Sequence, residues 1–122
     1  MISHNGQTLA YIGDAIFELM VREYLLENKE VKVGALHQET VSLTCAQGQA
    51  DALRVIEPHL SSNELAVVKR GRNGKLTRKA RNVNLQTYQH ATGLEALFGY
   101  LHLQKNHSRV KALFEIIITE ND

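Results

Sequence analysis

Two acidic residues lie in apolar surroundings, and together they could bind a metal ion. Glu95 is the only acid between Glu64 and Glu115, and its immediate neighbours are apolar. Asp14 follows Gly13 inside an otherwise apolar helical pattern. Burying an unpaired carboxylate is costly, so each acid needs a base, hydrogen-bond donors or a cation. Two such carboxylates from different helices could hold a hard, oxygen-binding cation such as Mg²⁺.

Each acid also has an explanation that needs no metal. Asp14 could be an acid near a helix start that the helix dipole favours. Glu95 could be the partner of His102 or of a buried tyrosine. Considered one at a time, the two explanations carry equal weight for each residue, so the pair matters more than either member.

A basic segment is the second candidate functional feature. Seven of the fourteen lysines and arginines lie between Lys69 and Arg81, with no acid among them. The whole chain has a net charge of +1, so the remainder carries −6. This asymmetry predicts a localised site for a polyanion rather than a solvated charged loop, which is the alternative. The segment holds no aromatic residue on which single-stranded bases could stack, which favours the backbone of a duplex. The predicted RNA-binding residues are Lys69, Arg70, Arg72, Asn73, Lys75, Arg78, Lys79 and Arg81.

Other chemistries have weaker support. Glu27 and Glu30 have the spacing of helical nucleotide pyrophosphohydrolases, but they lie among polar residues at a helix end. The six histidines show no metal-binding spacing, and the single cysteine, Cys45, is expected to be a packed, inert thiol. The chain contains no apolar run long enough for a membrane span or a signal peptide, which predicts a cytoplasmic protein.

The elements that position these residues are predicted to be all-α. Apolar periodicity predicts a first helix over residues 8–28, which we expect to be the central helix of a bundle because apolar side chains surround most of it. Asp14, Glu18 and Arg22 form its one polar stripe. The second expected helical region covers 34–56, with an interruption at Gly48. The third begins with a capping box at 61 and ends at 71 or 74. The last two cover 85–105, capped by Asn84, and 108–118, capped by Ser108. A charged loop over about residues 69–83 carries the basic segment.

Two motifs resemble a known family. Residues 9–18, LAYIGDAIFE, resemble the signature helix of ribonuclease III, and residues 92–99, TGLEALFG, resemble that family's second acidic motif. The segments KRGRN at 69–73 and QTY at 86–88 are similar to the short Mini-ribonuclease III subfamily. The chain departs from that subfamily at 77–82 and at Asn84, so a sequence preference for RNA is not carried over.

The resemblance implies one catalytic domain over residues 1–122, without a separate double-stranded-RNA-binding domain. It implies a homodimer that cuts double-stranded RNA in the cytoplasm, during maturation of the 23S ribosomal RNA precursor, leaving 5′-phosphate and 3′-hydroxyl ends. A non-catalytic duplex-RNA-binding module in ribosome assembly is the alternative.

The resemblance also assigns the site. Asp14 and Glu95 occupy the positions of catalytic metal ligands for Mg²⁺, with Mn²⁺ as a possible substitute. Ala10 and Thr92 stand where full-length ribonuclease III has further acids. Thr92 and Glu18 are candidates for a second layer of residues that positions the metal ligands. Pairing with Arg22 is the favoured role for Glu18.

Overall fold

The computed structural model describes residues 4–28, 32–74 and 84–121, and in these ranges all regular structure is helical. The predicted all-α class is confirmed. The elements are α1 (Gly6–Asn28), α2 (Val33–Thr44), α3 (Ala46–Ile56), a 3₁₀ turn (Glu57–His59), α4 (Ser62–Arg72), α5 (Leu85–Leu103) and α6 (His107–Asn121). None of the helices in the described ranges combines the length and apolarity that crossing a bilayer requires.

Side-chain caps fix several helix starts where the sequence predicts them. The Ser61 hydroxyl accepts a hydrogen bond from the Glu64 amide at 3.1 Å, and the Glu64 carboxylate accepts one from the Ser61 amide at 2.9 Å. This capping box starts α4 as expected. The Asn84 side chain accepts from the Thr87 amide at 3.2 Å and caps α5, also as expected. Helix α1 begins two residues earlier than predicted because Asn5 caps it.

The predicted interruption at Gly48 is wrong. The chain leaves helical geometry at Cys45, with φ −68° and ψ 167°, and the Cys45 sulfur accepts a hydrogen bond from the Gly48 amide at 3.4 Å. Cys45 is thus an exposed capping residue for α3 rather than a packed thiol. Similarly, Asn106 rather than Ser108 accepts a hydrogen bond from the amide of Arg109, in the first turn of α6, at 3.3 Å.

Helix α5, not α1, is the central helix. It packs against α1, α3, α4 and α6, and its residues from Ala91 to Phe98 are buried except for the partly buried Glu95. Phe98 meets Phe17 of α1 edge to face, with ring centroids 5.4 Å apart, and Phe17 meets Phe114 of α6 in the same manner. These contacts place the core on one side of α1 only.

The opposite side of α1 is apolar and exposed, which explains why its sequence looks central. The exposed fractions of Tyr11, Leu19 and Leu26 are 79%, 57% and 70%. Val33 at the start of α2 is 84% exposed and lies beside Leu26 in an open cavity. Several large apolar side chains exposed near one another are typical of a surface that contacts another protein.

Candidate active site

A close helix crossing determines the geometry of the site. A Cβ atom on Gly13 of α1 would overlap the Glu95 carbonyl oxygen, and one on Gly99 of α5 would overlap the Leu9 carbonyl oxygen. Only glycine permits this approach between two helix backbones. The mid-helix glycine beside Asp14 therefore has a packing reason that outweighs its lower helix propensity.

The crossing brings together the two carboxylates that the sequence singles out. Asp14 follows Gly13 directly, and its carboxyl group lies within hydrogen-bonding reach of the Glu95 carboxyl group. Asp14 is exposed, whereas Glu95 is partly buried. Burial, and then the proximity of Asp14, raise the pKa of Glu95 to about 8. Metal-free protein therefore holds a proton at this pair near neutral pH.

The amide of Gln49 is a third polar group at the site, and the sequence analysis missed it. Its Nε2 donates a hydrogen bond to Glu95 Oε2 at 3.2 Å, and this bond lowers the pKa of Glu95, against the larger effect of burial. Gln49 lies 46 positions from Glu95 in the sequence and is 3% exposed. A glutamine in the polar-looking run Ala46 to Asp51 gives no local signal, since only the packing of α3 against α5 turns it inward.

The residues present fit a hard divalent cation. Mg²⁺ prefers carboxylate and water oxygens and uses few protein ligands. A cation between Asp14 and Glu95 would offset the repulsion and desolvation that disfavour two ionised carboxylates. In the described ranges, this site included, no group of three or more His, Cys, Asp or Glu side chains is placed to hold a metal ion, so the site offers two protein carboxylates.

The two supporting candidates lie differently. Glu18 pairs with Arg22 at 3.1 Å on the surface of α1, the role the sequence favoured. Thr92 is buried one turn before Glu95, and its hydroxyl donates to the Tyr88 carbonyl at 3.0 Å within the same helix. Neither side chain makes a hydrogen bond to the carboxylate pair among these contacts.

The described part of the basic segment lies at the end of α4, which packs against α5, the helix that carries Glu95. Lys69, Arg70 and Asn73 are exposed. The aliphatic part of the Arg72 side chain lies over Gly93, which is two residues before Glu95 in the sequence. A Cβ atom on Gly93 would lie 3.0 Å from Arg72 Cγ. The predicted RNA-binding residues Lys75, Arg78, Lys79 and Arg81 lie outside the described residues.

Two further features adjoin these side chains. Arg70 donates a hydrogen bond to the His4 carbonyl, so the start of α1 and the end of α4 share an open cleft that Asn73 also lines. Glu27, the first residue of the E-x-x-E pair, is exposed near the end of α1, and Glu30 lies outside the described residues.

The family model of the ribonuclease III domain matches residues 7–106 of this chain. The chain therefore belongs to the ribonuclease III family, a class of endoribonucleases. Both residues of the carboxylate pair lie within the matched range.

Its relatives narrow the class further. The chain is 38% identical to Mini-ribonuclease 3 of Clostridium tetani, over 93% of this chain and 76% of that protein. It is 44% identical to Mini-ribonuclease 3 of Desulfitobacterium hafniense, over 91% of this chain and 70% of that protein. The crystal structure of protein FN1578 from Fusobacterium nucleatum is similar with a TM-score of 0.88 and 28% identity, covering 98% and 96% of the two chains. The resemblance to the Mini-ribonuclease III subfamily is confirmed.

Proposed function

We propose that this chain hydrolyses double-stranded RNA at internal phosphodiester bonds, with Asp14 and Glu95 as the catalytic pair that holds Mg²⁺. The observation that carries the proposal is the Gly13–Gly99 crossing, which brings two carboxylates from different helices into contact at the protein surface. Mn²⁺ would substitute because it accepts the same oxygen ligands. The family supports the reaction, and the geometry supports the residues.

When bound, the cation supplies Lewis-acid chemistry, activating the attacking water and stabilising charge on the departing 3′ oxygen. The chain's contribution is placement. Asp14 is exposed, so a phosphodiester can approach it, while Glu95 anchors the site from the buried side. The products are 5′-phosphate and 3′-hydroxyl ends.

The end of α4 would position the duplex. Lys69, Arg70 and Arg72 supply positive charge at the end of α4, which packs against the helix of Glu95, and Asn73 adds a neutral donor. Contacts of this kind bind phosphates without reading sequence. Lys75, Arg78, Lys79 and Arg81 extend the same charge along the chain and would bind the same backbone.

We infer that the working enzyme is a homodimer of this single domain, residues 1–122. The exposed apolar residues Tyr11, Leu19, Leu26 and Val33 form a surface that a second copy would cover. Two copies would present two sites to one duplex. The substrate that the family resemblance implies is the 23S ribosomal RNA precursor, in the cytoplasm.

The test is cleavage of a long RNA duplex in Mg²⁺ by the parent, Asp14→Asn and Glu95→Gln. Each substitution removes a ligand charge but keeps the side-chain shape, so each should lower the cleavage rate by about 1,000-fold or more. Both variants should bind the duplex as tightly as the parent in Ca²⁺, because the basic residues of α4 are unchanged.

Cleavage by either variant at the parent rate would remove that residue from catalysis. The loss of acids at Ala10 and Thr92 favours a second candidate, a non-catalytic duplex-RNA-binding module in ribosome assembly. Duplex binding by the parent without cleavage in either Mg²⁺ or Mn²⁺ would establish that function instead.

A further inference from the structure

We propose that Gln49 is a positioning residue that fixes the Glu95 carboxylate for cation binding. This inference rests on the proposed function. Its basis is the hydrogen bond from Gln49 Nε2 to Glu95 Oε2 at 3.2 Å, made by a side chain that is 3% exposed. A buried polar side chain from another helix, directed at one member of the carboxylate pair, is the arrangement that orients a metal ligand.

The backbone around Gln49 is held from two sides. Cys45 caps α3 through its sulfur, which fixes where the helix begins. A Cβ atom on Gly48 would crowd the carbonyl oxygens of Ser42 and Leu43, so only glycine lets the first turn of α3 pack this closely on the end of α2. Ala50 is buried beside Gln49. The amide therefore has little freedom to turn away.

An amide suits this role better than a charged donor. A lysine or arginine at this position would repel a cation bound at Glu95, and a second carboxylate would add repulsion to the pair. The neutral N–H group of Gln49 engages Oε2 without adding a charge beside a cation bound at the pair. Three side-chain torsions of Glu95 are thereby restrained before any ligand arrives.

The chain offers a matched control on the same helix. Gln47 lies two residues before Gln49 but is exposed, and its Nε2 donates to Asp51 at 2.8 Å rather than to Glu95. Gln49→Met removes the donor while keeping an unbranched side chain of similar length. Gln47→Met makes the same chemical change without touching the site.

The experiment measures Mn²⁺ affinity by calorimetry on the full chain without RNA, and the Mg²⁺ concentration for half-maximal cleavage. Gln49→Met should weaken Mn²⁺ binding by about 10-fold and raise the half-maximal Mg²⁺ concentration to match. Saturating Mg²⁺ should restore most of the cleavage rate, which it would not do for a damaged fold. Gln47→Met should stay within about twofold of the parent.

Parent-like Mn²⁺ affinity in Gln49→Met, or an equal loss in Gln47→Met, would overturn the inference. If circular dichroism shows that Gln49→Met does not fold, Gln49→Asn is the second variant, because it keeps the amide but shortens its reach. We expect Gln49→Asn to weaken Mn²⁺ binding by about threefold. An unchanged Mn²⁺ affinity in Gln49→Asn would also overturn the inference. Failure of the proposed function looks different, since Asp14→Asn and Glu95→Gln would then bind Mn²⁺ and cleave like the parent.

Discussion

Glu64 and Glu95 are both largely withdrawn from solvent, but Glu64 lies beside a base and Glu95 lies beside another acid. Glu64 is 7% exposed and accepts hydrogen bonds from Arg109 Nε at 2.8 Å and Nη2 at 2.9 Å. The hydrogen bond from Arg109 is the main reason that the pKa of Glu64 lies below its ordinary value. Glu95 faces Asp14 instead, and burial together with that second acid raises its pKa to about 8.

The difference separates an acid with a structural role from the acid that we propose binds the cation. Arg109 compensates the charge of Glu64, and this ion pair ties α6 to the start of α4. Arg109 also donates to the His59 carbonyl at 2.8 Å. Glu95 has no base beside it among the described residues: it accepts a hydrogen bond from one neutral amide and faces a second acid, so its ionised form is disfavoured. Active sites keep such uncompensated groups at the expense of stability, because a ligand completes them.

The largest effect on stability should come from breaking the Glu64 pair. Arg109→Met leaves a buried carboxylate without its partner and should lower the free energy of unfolding by about 3 kcal/mol at pH 7. The loss should be full above pH 4.5 and should shrink as the pH falls through the lowered pKa of folded Glu64. Urea denaturation across this range measures it.

Arg54→Met is the matched control, since Arg54 pairs with Asp51 at 3.3 Å with both side chains exposed. Its expected change is within about 0.5 kcal/mol. Equal stability losses in the two variants would mean that the Glu64 pair is no stronger than a surface pair, and the contrast with Glu95 would fail.

A smaller effect of opposite sign is expected at the pair formed by Asp14 and Glu95. Unfolded chain releases the Glu95 proton near pH 4.5, whereas the folded, metal-free protein keeps it up to about pH 8. The folded state binds more protons in this window, so its stability falls as the pH rises from 4.5 to 8. Glu95→Gln removes that dependence and should be about 2 kcal/mol more stable than the parent at pH 6 in EDTA, about 1.5 pH units above the unfolded pKa.

The same two proteins should have nearly equal stability at pH 4, below the unfolded pKa, and adding Mg²⁺ at pH 6 should stabilise only the parent. Thermal denaturation with and without EDTA at both pH values gives the comparison. A parent that is as stable at pH 6 as at pH 4, relative to Glu95→Gln, would show that folding does not raise the pKa of Glu95.

The smallest expected effect concerns the cap that shares Glu64. Ser61→Ala removes the hydroxyl that accepts from the Glu64 amide and should cost about 1 kcal/mol. Ser62→Ala, one position into α4 and exposed, should change stability by no more than about 0.5 kcal/mol. Chemical denaturation decides, and a cost for Ser61→Ala no larger than for Ser62→Ala would reduce the role of Glu64 to its contact with Arg109.

Features with a local cause were predictable from the sequence. The capping box at Ser61 and the Asn84 cap depend on residues three positions apart, which chain order alone brings together. The two motifs around Asp14 and Glu95 also located the carboxylate pair. By contrast, the break at Cys45 was missed because a cysteine sulfur is a rare cap, and a glycine such as Gly48 is the commoner sign of an interruption.

The sequence by itself determined the helical class, the family and the two acids, because periodicity, caps and motifs are properties of short segments. Tertiary structure decided what those acids experience. Close approach at Gly13 and Gly99 places one carboxylate against another, packing of α3 turns Gln49 toward Glu95, and α6 delivers Arg109 to Glu64. A glutamate therefore forms a stabilising ion pair at position 64, whereas at position 95 a glutamate lies against a second acid and has no base to pair with among the described residues. Burial and neighbouring charge set that difference, and both arise only when distant segments pack together.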